Sequence, residues 1–216
     1  MRILFINPNA TVSMTHKIEA AARAAASPGT SILSATNHSG PASIQGVADG
    51  EAAEPGLLAL IAEREADADA FVIACFDDTG LAKARTLTKK PVLGIGEAAM
   101  RAAAKGGRAF SVVTTLSVSV PVIEENVRAY ALGSLCRRVR ASEVPVLALE
   151  EPGSAARETV AAEIAAALAE DRPGAVVLGC AGMADLAEAF AAQFGVPVFD
   201  GVVCAVRTLE ARSPDA

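Results

Sequence analysis

The chain is built around nine residues, Ala175-Val176-Val177-Leu178-Gly179-Cys180-Ala181-Gly182-Met183. The residues before Gly179 are all apolar, which is typical of a buried parallel strand. The small residues after them predict a tight turn into a helix. Cys180 stands where the strand becomes the helix, so its sulfur can meet the first free N–H groups of that helix.

An earlier stretch has the same construction: Ala70-Phe71-Val72-Ile73-Ala74-Cys75-Phe76-Asp77-Asp78-Thr79-Gly80. Its cysteine precedes Cys180 by 105 residues. Further landmarks recur at offsets of 106 and 107 residues, namely the Pro-Val strand openings at Pro91 and Pro197 and the polar ends of the strands 3–7 and 110–114. Three landmarks at nearly one offset indicate an internal duplication.

Strands alternate with helices along the chain, which predicts an α/β fold with mostly parallel sheets. The duplication predicts two pseudo-symmetric lobes, each Rossmann-like or flavodoxin-like. We assign residues 1–97 to the first lobe and 98–202 to the second, with a C-terminal helix, 203–216, that packs back on the first. Ligands of such sheets bind at the C-terminal ends of the strands, so we expect the active-site cleft between the lobes.

Composition excludes several classes of protein. The net charge is −6 and only 4% of the residues are aromatic, with no Trp, which disfavours a nucleic-acid partner. No apolar run is long enough to span a membrane. The apolar Met1–Ile6 stops at Asn7-Pro8-Asn9 and reads as a strand. Four cysteines without a C-x-x-C spacing predict free thiols in the cytoplasm and no metal site.

Polar residues mark the predicted strand ends at Asn7, Cys75, Thr114 and Cys180. The polar, glycine-bearing segment 36–44 is predicted to be a loop that walls the site. A helical pattern follows it from Gly46 to Ala66, and Pro55 is expected to restart that helix as a first-turn residue. The site is therefore expected where these ends and this loop meet.

A single cysteine after an apolar strand is usually a small core residue. The matched pair Cys75 and Cys180 favours function instead, since a core cysteine has no reason to sit at the strand end in both lobes. Cys136 and Cys204 have no counterpart in the other lobe. We interpret Cys136 as structural and Cys204 as part of the apolar face of the last helix.

Other motifs favour structural interpretations. Gly94-Ile95-Gly96-Glu97-Ala98-Ala99 imitates a dinucleotide fingerprint, but no acidic residue closes the next strand, so we read a close-packed turn. Asp77 and Asp78 are expected to cap the helix after them, with a role in orienting substrate as the alternative. His16 is expected to be solvated, and His38 lies in the loop. No Ser-His-Asp constellation is available.

Several of these motifs together resemble the hydantoin racemase family, part of the aspartate/glutamate racemase superfamily and close to allantoin racemases. They are Asn7-Pro8-Asn9, Gly40-Pro41-Ala42-Ser43-Ile44, Ala74-Cys75-Phe76, Pro91-Val92-Leu93-Gly94-Ile95, Thr114-Thr115 and Leu178-Gly179-Cys180-Ala181-Gly182-Met183. The resemblance covers residues 3 to about 206. It implies a two-lobed fold, cofactor-free racemisation of a small molecule by two cysteines, and a homo-oligomer.

Carried over to this chain, the resemblance makes Cys75 and Cys180 the acid/base pair. It implies substrate contacts from Asn7, Asn9, Ser43, Ile44, Phe76, Asp77, Thr114, Thr115, Ala181 and Gly182. Two departures from the family pattern put the substrate in question, namely Gln45 where many relatives have Glu and Thr79 where many have Pro.

Elementary chemistry agrees with a cysteine pair. Racemisation next to a carbonyl needs a base on one face of the carbon and an acid on the other. A thiol with an ordinary pKa of about 8.5 can be brought toward neutrality at a helix N-terminus, which gives a usable thiolate base. The N–H groups of Phe76, Asp77, Ala181 and Gly182 are candidate donors to the enolate oxygen.

The first hypothesis is therefore a cofactor-independent racemase of 5-substituted hydantoins. Allantoin racemisation and racemisation of aspartate- or glutamate-type amino acids are the alternatives within enzymes. A decarboxylase of the same superfamily would need only one cysteine. A two-lobed binding protein without catalysis is the alternative from another class, since apposed lobes suit ligand capture.

Overall fold

The computed structural model describes residues 1–151 and 154–212. The first half of the chain alternates strands and helices in the order β1 Arg2–Asn7, α1 Val12–Ala25, β2 Ser31–Thr36, α2 Val47–Glu63, β3 Ala70–Ile73, α3 Leu81–Leu87, β4 Val92–Gly94 and α4 Ile95–Ala103. The second half repeats the alternation as β5 Phe110–Thr114, α5 Val120–Ala129, β6 Cys136–Ala141, α6 Ala156–Glu170, β7 Ala175–Gly179, α7 Ala187–Phe194, β8 Val198–Phe199 and α8 Gly201–Glu210. Short 3₁₀ turns span Lys105–Gly107, Ser117–Ser119, Val146–Glu150 and Ala181–Met183.

The strands form two four-stranded sheets with matching orders, β2-β1-β3-β4 and β6-β5-β7-β8. Every strand pairing in both sheets is parallel. The predicted α/β fold with two similar parallel lobes is therefore confirmed. In each sheet the first and third strands of the repeat lie at the centre, so the ends of β1, β3, β5 and β7 meet at one edge of their sheet.

The central strands are buried on both faces, as their unbroken apolar sequences predict. In the first sheet Ile3 and Phe5 face a core that also contains Ile18 of α1, while Leu4 and Ile6 face Leu57 and other residues of α2. The second sheet is covered in the same way, by α4 and α5 on one face and by α6 and α7 on the other.

Helix α8 follows the last strand of the second sheet but packs against α4 and α1. Its residues Val202, Ala205, Val206 and Leu209 belong to the same core as Ile3. This helix was predicted to pack back on the first lobe and to run from 203 to 216, of which 213–216 lie outside the described residues. The lobe boundaries at 97/98 and 202/203 stay a prediction.

Two local predictions were wrong. Pro55 lies inside one continuous helix, α2, and does not restart it. Burial of Ala53, Leu57 and Ile61 against the first sheet stabilises the helix on both sides of the missing N–H. The tight turn after Gly179 was predicted to lead into a helix, but a 3₁₀ turn, Ala181–Met183, comes first and α7 starts only at Ala187.

The glycine turn at Gly94 and Gly96 is close-packed, as predicted. A Cβ at Gly94 would lie 2.0 Å from Asp78 Oδ1, and one at Gly96 would lie 2.3 Å from the Phe76 carbonyl oxygen. The lack of a side chain at both glycines therefore leaves space for the segment that follows Cys75. The turn binds a carboxylate of the same chain, that of Asp78.

Candidate active site

Cys75 follows β3 and Cys180 follows β7, so each stands at the C-terminal end of the third strand of its repeat. Both thiols are free, and both line one cleft between the two sheets. The prediction that the strand ends bring the two cysteines to a shared cleft is confirmed by this placement.

Both lobes contribute to the wall of the cleft. Its lining is Asn9, Met14, Ile44, Ala74, Cys75, Phe76 and Asp77 from the first lobe, and Thr114, Thr115, Ser119, Val146, Gly179, Cys180 and Ala181 from the second. No Lys, Arg or His is among these described residues. The lining carries one ionisable carboxyl group, that of Asp77, beside the two thiols.

The two sulfurs have matching surroundings. Thr79 Oγ1 donates to Cys75 Sγ at 3.7 Å. The N–H of Asp77 lowers the pKa of Cys75, and the N–H of Gly182 lowers that of Cys180. The predicted donation by Asp77 and Gly182 to the substrate stays a prediction. The amides of Phe76 and Ala181 have no acceptor among the described residues and stay available to a ligand.

Burial dominates the acidity of both thiols. It raises the pKa of Cys180 to about 11 and the pKa of Cys75 well above its usual range. The negative charge of Asp77 acts in the same direction on both. The prediction of a thiol pKa near neutrality is therefore wrong. An N–H donor to each sulfur lowers its pKa, but desolvation of a thiolate in the cleft is the larger effect.

Asp77 and Asp78 have different roles. Asp78 accepts hydrogen bonds from the N–H groups of Gly96 and Glu97 at 2.9 and 2.7 Å, and from the Tyr130 hydroxyl at 2.6 Å. It therefore caps α4, not the helix that follows it in sequence. The carboxyl group of Asp77 has no hydrogen-bond partner within the described residues, and burial raises its pKa to about 7.

Asn7 does not line the cleft. Its side-chain amide donates to Asn9 Oδ1 at 2.9 Å, to the Thr11 carbonyl at 3.1 Å and to Thr15 Oγ1 at 3.0 Å. Asn7 thereby holds the turn that presents Asn9. Ser43 is buried outside the lining, next to Ile44, which does line the cleft.

Thr114 and Thr115 both line the cleft, at the end of β5. Thr114 Oγ1 donates to the Gly179 carbonyl at 2.8 Å, which ties β5 to the strand that carries Cys180. A Cβ at Gly179 would lie 2.7 Å from Thr114 Cβ, so only glycine permits this approach. The hydroxyl of Thr115 makes no hydrogen bond within the described residues and can serve a ligand.

Sequence reasoning missed Met14, Ser119 and Val146 in the lining. Met14 has the spacing of a core residue of α1 and gave no separate signal. Val146 lies in a 3₁₀ turn that was not predicted, and its N–H donates to Gln45 Oε1 at 3.3 Å. Gln45 of the first lobe thus contacts a lining residue of the second lobe, and no local sequence pattern predicts this contact.

The remaining candidates lie away from the cleft. His16 is exposed, as predicted, and so is His38. Cys136 is half-buried, whereas Cys204, a residue of α8, is buried in the first-lobe core. Across residues 1–151 and 154–212, no group of three or more His, Cys, Asp or Glu is arranged to hold a metal ion. No helix in this part of the chain has the length and apolarity to cross a membrane.

Comparison with known proteins places the chain in a family. The family model for Asp/Glu/Hydantoin racemase matches residues 3–209. A hydantoin racemase from Rhizobium meliloti is 47% identical over 98% of this chain and 88% of its own length. The solved structure of an allantoin racemase from Klebsiella pneumoniae has a TM-score of 0.94 and 43% identity, over 98% of this chain and 86% of that one.

An allantoin racemase from Pseudomonas fluorescens has the same TM-score, 0.94, with 39% identity over 98% of this chain and 90% of that chain. Similarity at these levels spans both lobes and both cysteine turns. The chain therefore belongs to the Asp/Glu/Hydantoin racemase family, and it is a racemase.

Proposed function

We propose that this racemase interconverts the enantiomers of 5-substituted hydantoins, with Cys75 and Cys180 acting on opposite faces of C5. The observation that carries the proposal is the pair of cysteines at equivalent strand ends of one cleft whose other lining is almost uncharged. A hydantoin ring is neutral, and its C5 proton is acidified by the adjacent carbonyl, so the reaction needs no cofactor as an electron sink.

The proton transfers balance with two sulfurs. One cysteine, as thiolate, takes the C5 proton and becomes a thiol. The electron pair left behind moves onto the carbonyl oxygen. The free N–H groups of Phe76 and Ala181 are suited to donate hydrogen bonds to that oxygen. The other cysteine then gives its proton to the opposite face of C5 and becomes the thiolate.

Charge argues against amino acids as substrates. An aspartate or glutamate substrate has an α-carboxylate, which needs a cationic group or several donors. No described residue of the lining is cationic, and the Asp77 carboxylate would repel such a substrate above its pKa of about 7. The hydantoin ring instead has N–H groups, from which this carboxylate can accept hydrogen bonds.

Allantoin is the second candidate, favoured by the solved allantoin racemase at 43% identity. The two substrates differ at C5, where allantoin carries a polar ureido group. An apolar substituent is supported by exposed apolar side chains that are close in sequence to residues of the lining. Four of the five exposed large apolar side chains, Val12, Val47, Val118 and Leu147, each lie within three residues of a residue that lines the cleft.

The test is chiral chromatography of enantiopure 5-benzyl-hydantoin, 5-methyl-hydantoin, allantoin, aspartate and glutamate after incubation with the protein. We expect racemisation of the hydantoins, fastest with the benzyl group, and none of the amino acids. Binding without loss of optical purity in any of the compounds would support the non-catalytic alternative and refute the proposal. Fastest turnover of allantoin would identify it as the substrate instead.

A further inference from the structure

Lys17 lies outside the lining of the cleft, yet its ammonium group contacts the turn that follows Cys180. From α1 of the first lobe, its Nζ donates to the carbonyls of Gly182 and Leu149, both at 3.2 Å. The same atom lies 2.8 Å from Glu150 Oε1, and the Lys17 side chain is only 22% exposed. All three acceptors belong to the second lobe.

A matching contact runs in the opposite direction. Asn126, on α5 of the second lobe, donates from Nδ2 to the carbonyl of Asp77 at 2.9 Å. Asp77 and Gly182 are each the second residue after a cysteine, and α1 and α5 each follow the first strand of their sheet. Each lobe therefore holds the cysteine turn of the other at the same carbonyl.

These contacts act on the sulfurs through one residue on each side. The residue whose carbonyl oxygen is held across the lobe interface is also the one whose N–H lowers the pKa of the cysteine in its own turn, Asp77 for Cys75 and Gly182 for Cys180. Holding the carbonyl restricts the backbone of that residue, and with it the directions open to its N–H. The effect of each N–H on its cysteine thus depends on a side chain of the opposite lobe.

The two contacts differ in charge. Lys17 lies at the turn that follows Cys180, where its Nζ contacts the Gly182 carbonyl and Glu150, whereas the uncharged Asn126 takes the equivalent place at the turn of Cys75. Asp77 and Glu150 oppose ionisation of Cys180, and Asp77 opposes that of Cys75. A positive charge next to a thiol favours the thiolate, and a negative charge disfavours it. The single cation among these groups acts on Cys180.

We propose that Lys17 and Asn126 are reciprocal positioning residues, and that the charge of Lys17 makes Cys180 the thiol that ionises first. Cys180 is then the cysteine that starts the proposed reaction as the base, from its minor thiolate form, and Cys75 is the acid. The assignment of base and acid rests on the proposed function, but the order of ionisation does not.

The experiment measures alkylation of each cysteine separately. The protein is treated with iodoacetamide between pH 7 and pH 10, and the modified peptides are quantified by mass spectrometry. Below the pKa the rate follows the thiolate fraction, so one unit of pKa changes the rate about tenfold. In the unmodified sequence we expect Cys180 to react faster than Cys75 at every pH.

Three variants separate charge from position. Lys17→Met and Lys17→Gln both remove the charge, and each should slow alkylation of Cys180 about tenfold with little effect on Cys75. Lys17→Arg should keep the rate within about threefold. Asn126→Ala, the uncharged counterpart, should change the rate of Cys75 and leave that of Cys180 unchanged. Cys204, buried in the first-lobe core, should stay unmodified in every folded variant.

Two results would overturn the proposal: faster reaction of Cys75 in the unmodified protein, or an unchanged ratio of the two rates in both Lys17→Met and Lys17→Gln. Failure of the proposed function gives a different pattern. In that case the alkylation rates follow the expected order, but no hydantoin loses optical purity.

Discussion

At the scale of single residues, the proposed chemistry depends on the two thiols. Burial holds both protonated near neutral pH, so the thiolate that would start the proposed reaction is a minor form of the enzyme. Desolvation that raises the pKa of a thiol also makes its thiolate a stronger base. A stronger base is useful here, because the C5 proton of a hydantoin is only weakly acidic.

Replacing one cysteine should separate the two half-reactions. Cys75→Ser leaves Cys180 able to remove the proton from one enantiomer only, and Cys180→Ser does the reverse. We expect racemisation to fall by several orders of magnitude in both, since a serine hydroxyl is a much weaker acid than a thiol. In deuterated water the two variants should exchange the C5 proton of opposite enantiomers, after correction for spontaneous exchange.

Cys136→Ser, outside the cleft, is the matched control and should racemise normally. Exchange of the same enantiomer by both active-site variants would contradict the assignment of one face to each cysteine, as would normal racemisation by either of them.

Asp77 should make stability depend on pH. Its carboxyl pKa is about 7 in the folded chain against a usual 3.8, so the folded state holds a proton that the unfolded state has lost between these values. The folded protein therefore loses stability as the pH rises from about 4 to about 7. Asp77→Asn removes the titration, and its free energy of unfolding should exceed that of the parent by about 4 kcal/mol at pH 8.

Urea unfolding at pH 5 and pH 8 measures this difference. The gain in Asp77→Asn should grow between the two pH values. Asp185→Asn, at an exposed aspartate, is the control and should shift stability equally at both. A constant difference between Asp77→Asn and the parent would show that the carboxyl is not shifted.

At the scale of elements, the start of α4 is held by a residue distant in sequence. Asp78 accepts two N–H groups from the first turn of α4 and the hydroxyl of Tyr130, and it is 6% exposed. Asp78→Ala leaves three donors without an acceptor, which should cost about 2–3 kcal/mol of unfolding free energy in urea. Asp185→Ala should change it by less than about 0.5 kcal/mol. A small effect of Asp78→Ala would mean that water replaces the carboxylate.

The segment before α2 approaches the second lobe closely. Gly46 has φ 102°, and a Cβ there would lie 2.9 Å from Val118 Cγ2 of the second lobe. This approach places Val118, 53% exposed, beside the loop that carries Ile44. Val118 is thus available to a substituent that projects from the cleft.

Val118→Asn should raise KM for 5-benzyl-hydantoin about fivefold, the loss of roughly 1 kcal/mol of apolar contact, and leave KM for the 5-methyl compound nearly unchanged. Leu87→Asn is the matched control, since Leu87 is 51% exposed but lies on α3 and does not border the lining. Equal effects of Val118→Asn on both substrates would place the substituent elsewhere.

At the scale of the whole molecule, contacts outside the cleft join the two lobes. Helix α8 belongs to the second lobe in sequence and to the core of the first in space. Side chains cross the interface in both directions, at Lys17 and at Asn126. We expect these links to make the two lobes unfold together. The homo-oligomer implied by the family resemblance stays a prediction, which light scattering can test.

Leu209 and Tyr130 give a test of this coupling. Leu209, 2% exposed, packs in the first-lobe core, and Tyr130, the only tyrosine, packs in the second. Leu209→Ala should cost about 3 kcal/mol. Its urea midpoint by Tyr130 fluorescence should fall as far as its midpoint by circular dichroism. An unchanged fluorescence midpoint would show that the lobes unfold separately.

The sequence by itself determined the duplicated α/β architecture and the position of both cysteines, because these follow from local patterns. Unbroken apolar strands and glycine-bearing turns specify where each strand ends, and parallel pairing then brings the ends to one edge. Asn9, Ile44, Phe76, Thr115 and Ala181 were placed at the cleft by the same reasoning and the family resemblance.

Only the tertiary structure decided what lies around those strand ends. The pKa of each thiol depends on burial by both lobes, which no local pattern contains. Asp78 caps a helix 17 residues further on, and Lys17 reaches a carbonyl 165 residues away. The Asn7 side chain does not line the cleft because its amide donates to three nearby acceptors, two in the turn and one at the start of α1. These are contacts between distant segments, and their energies depend on distances that only the folded chain defines.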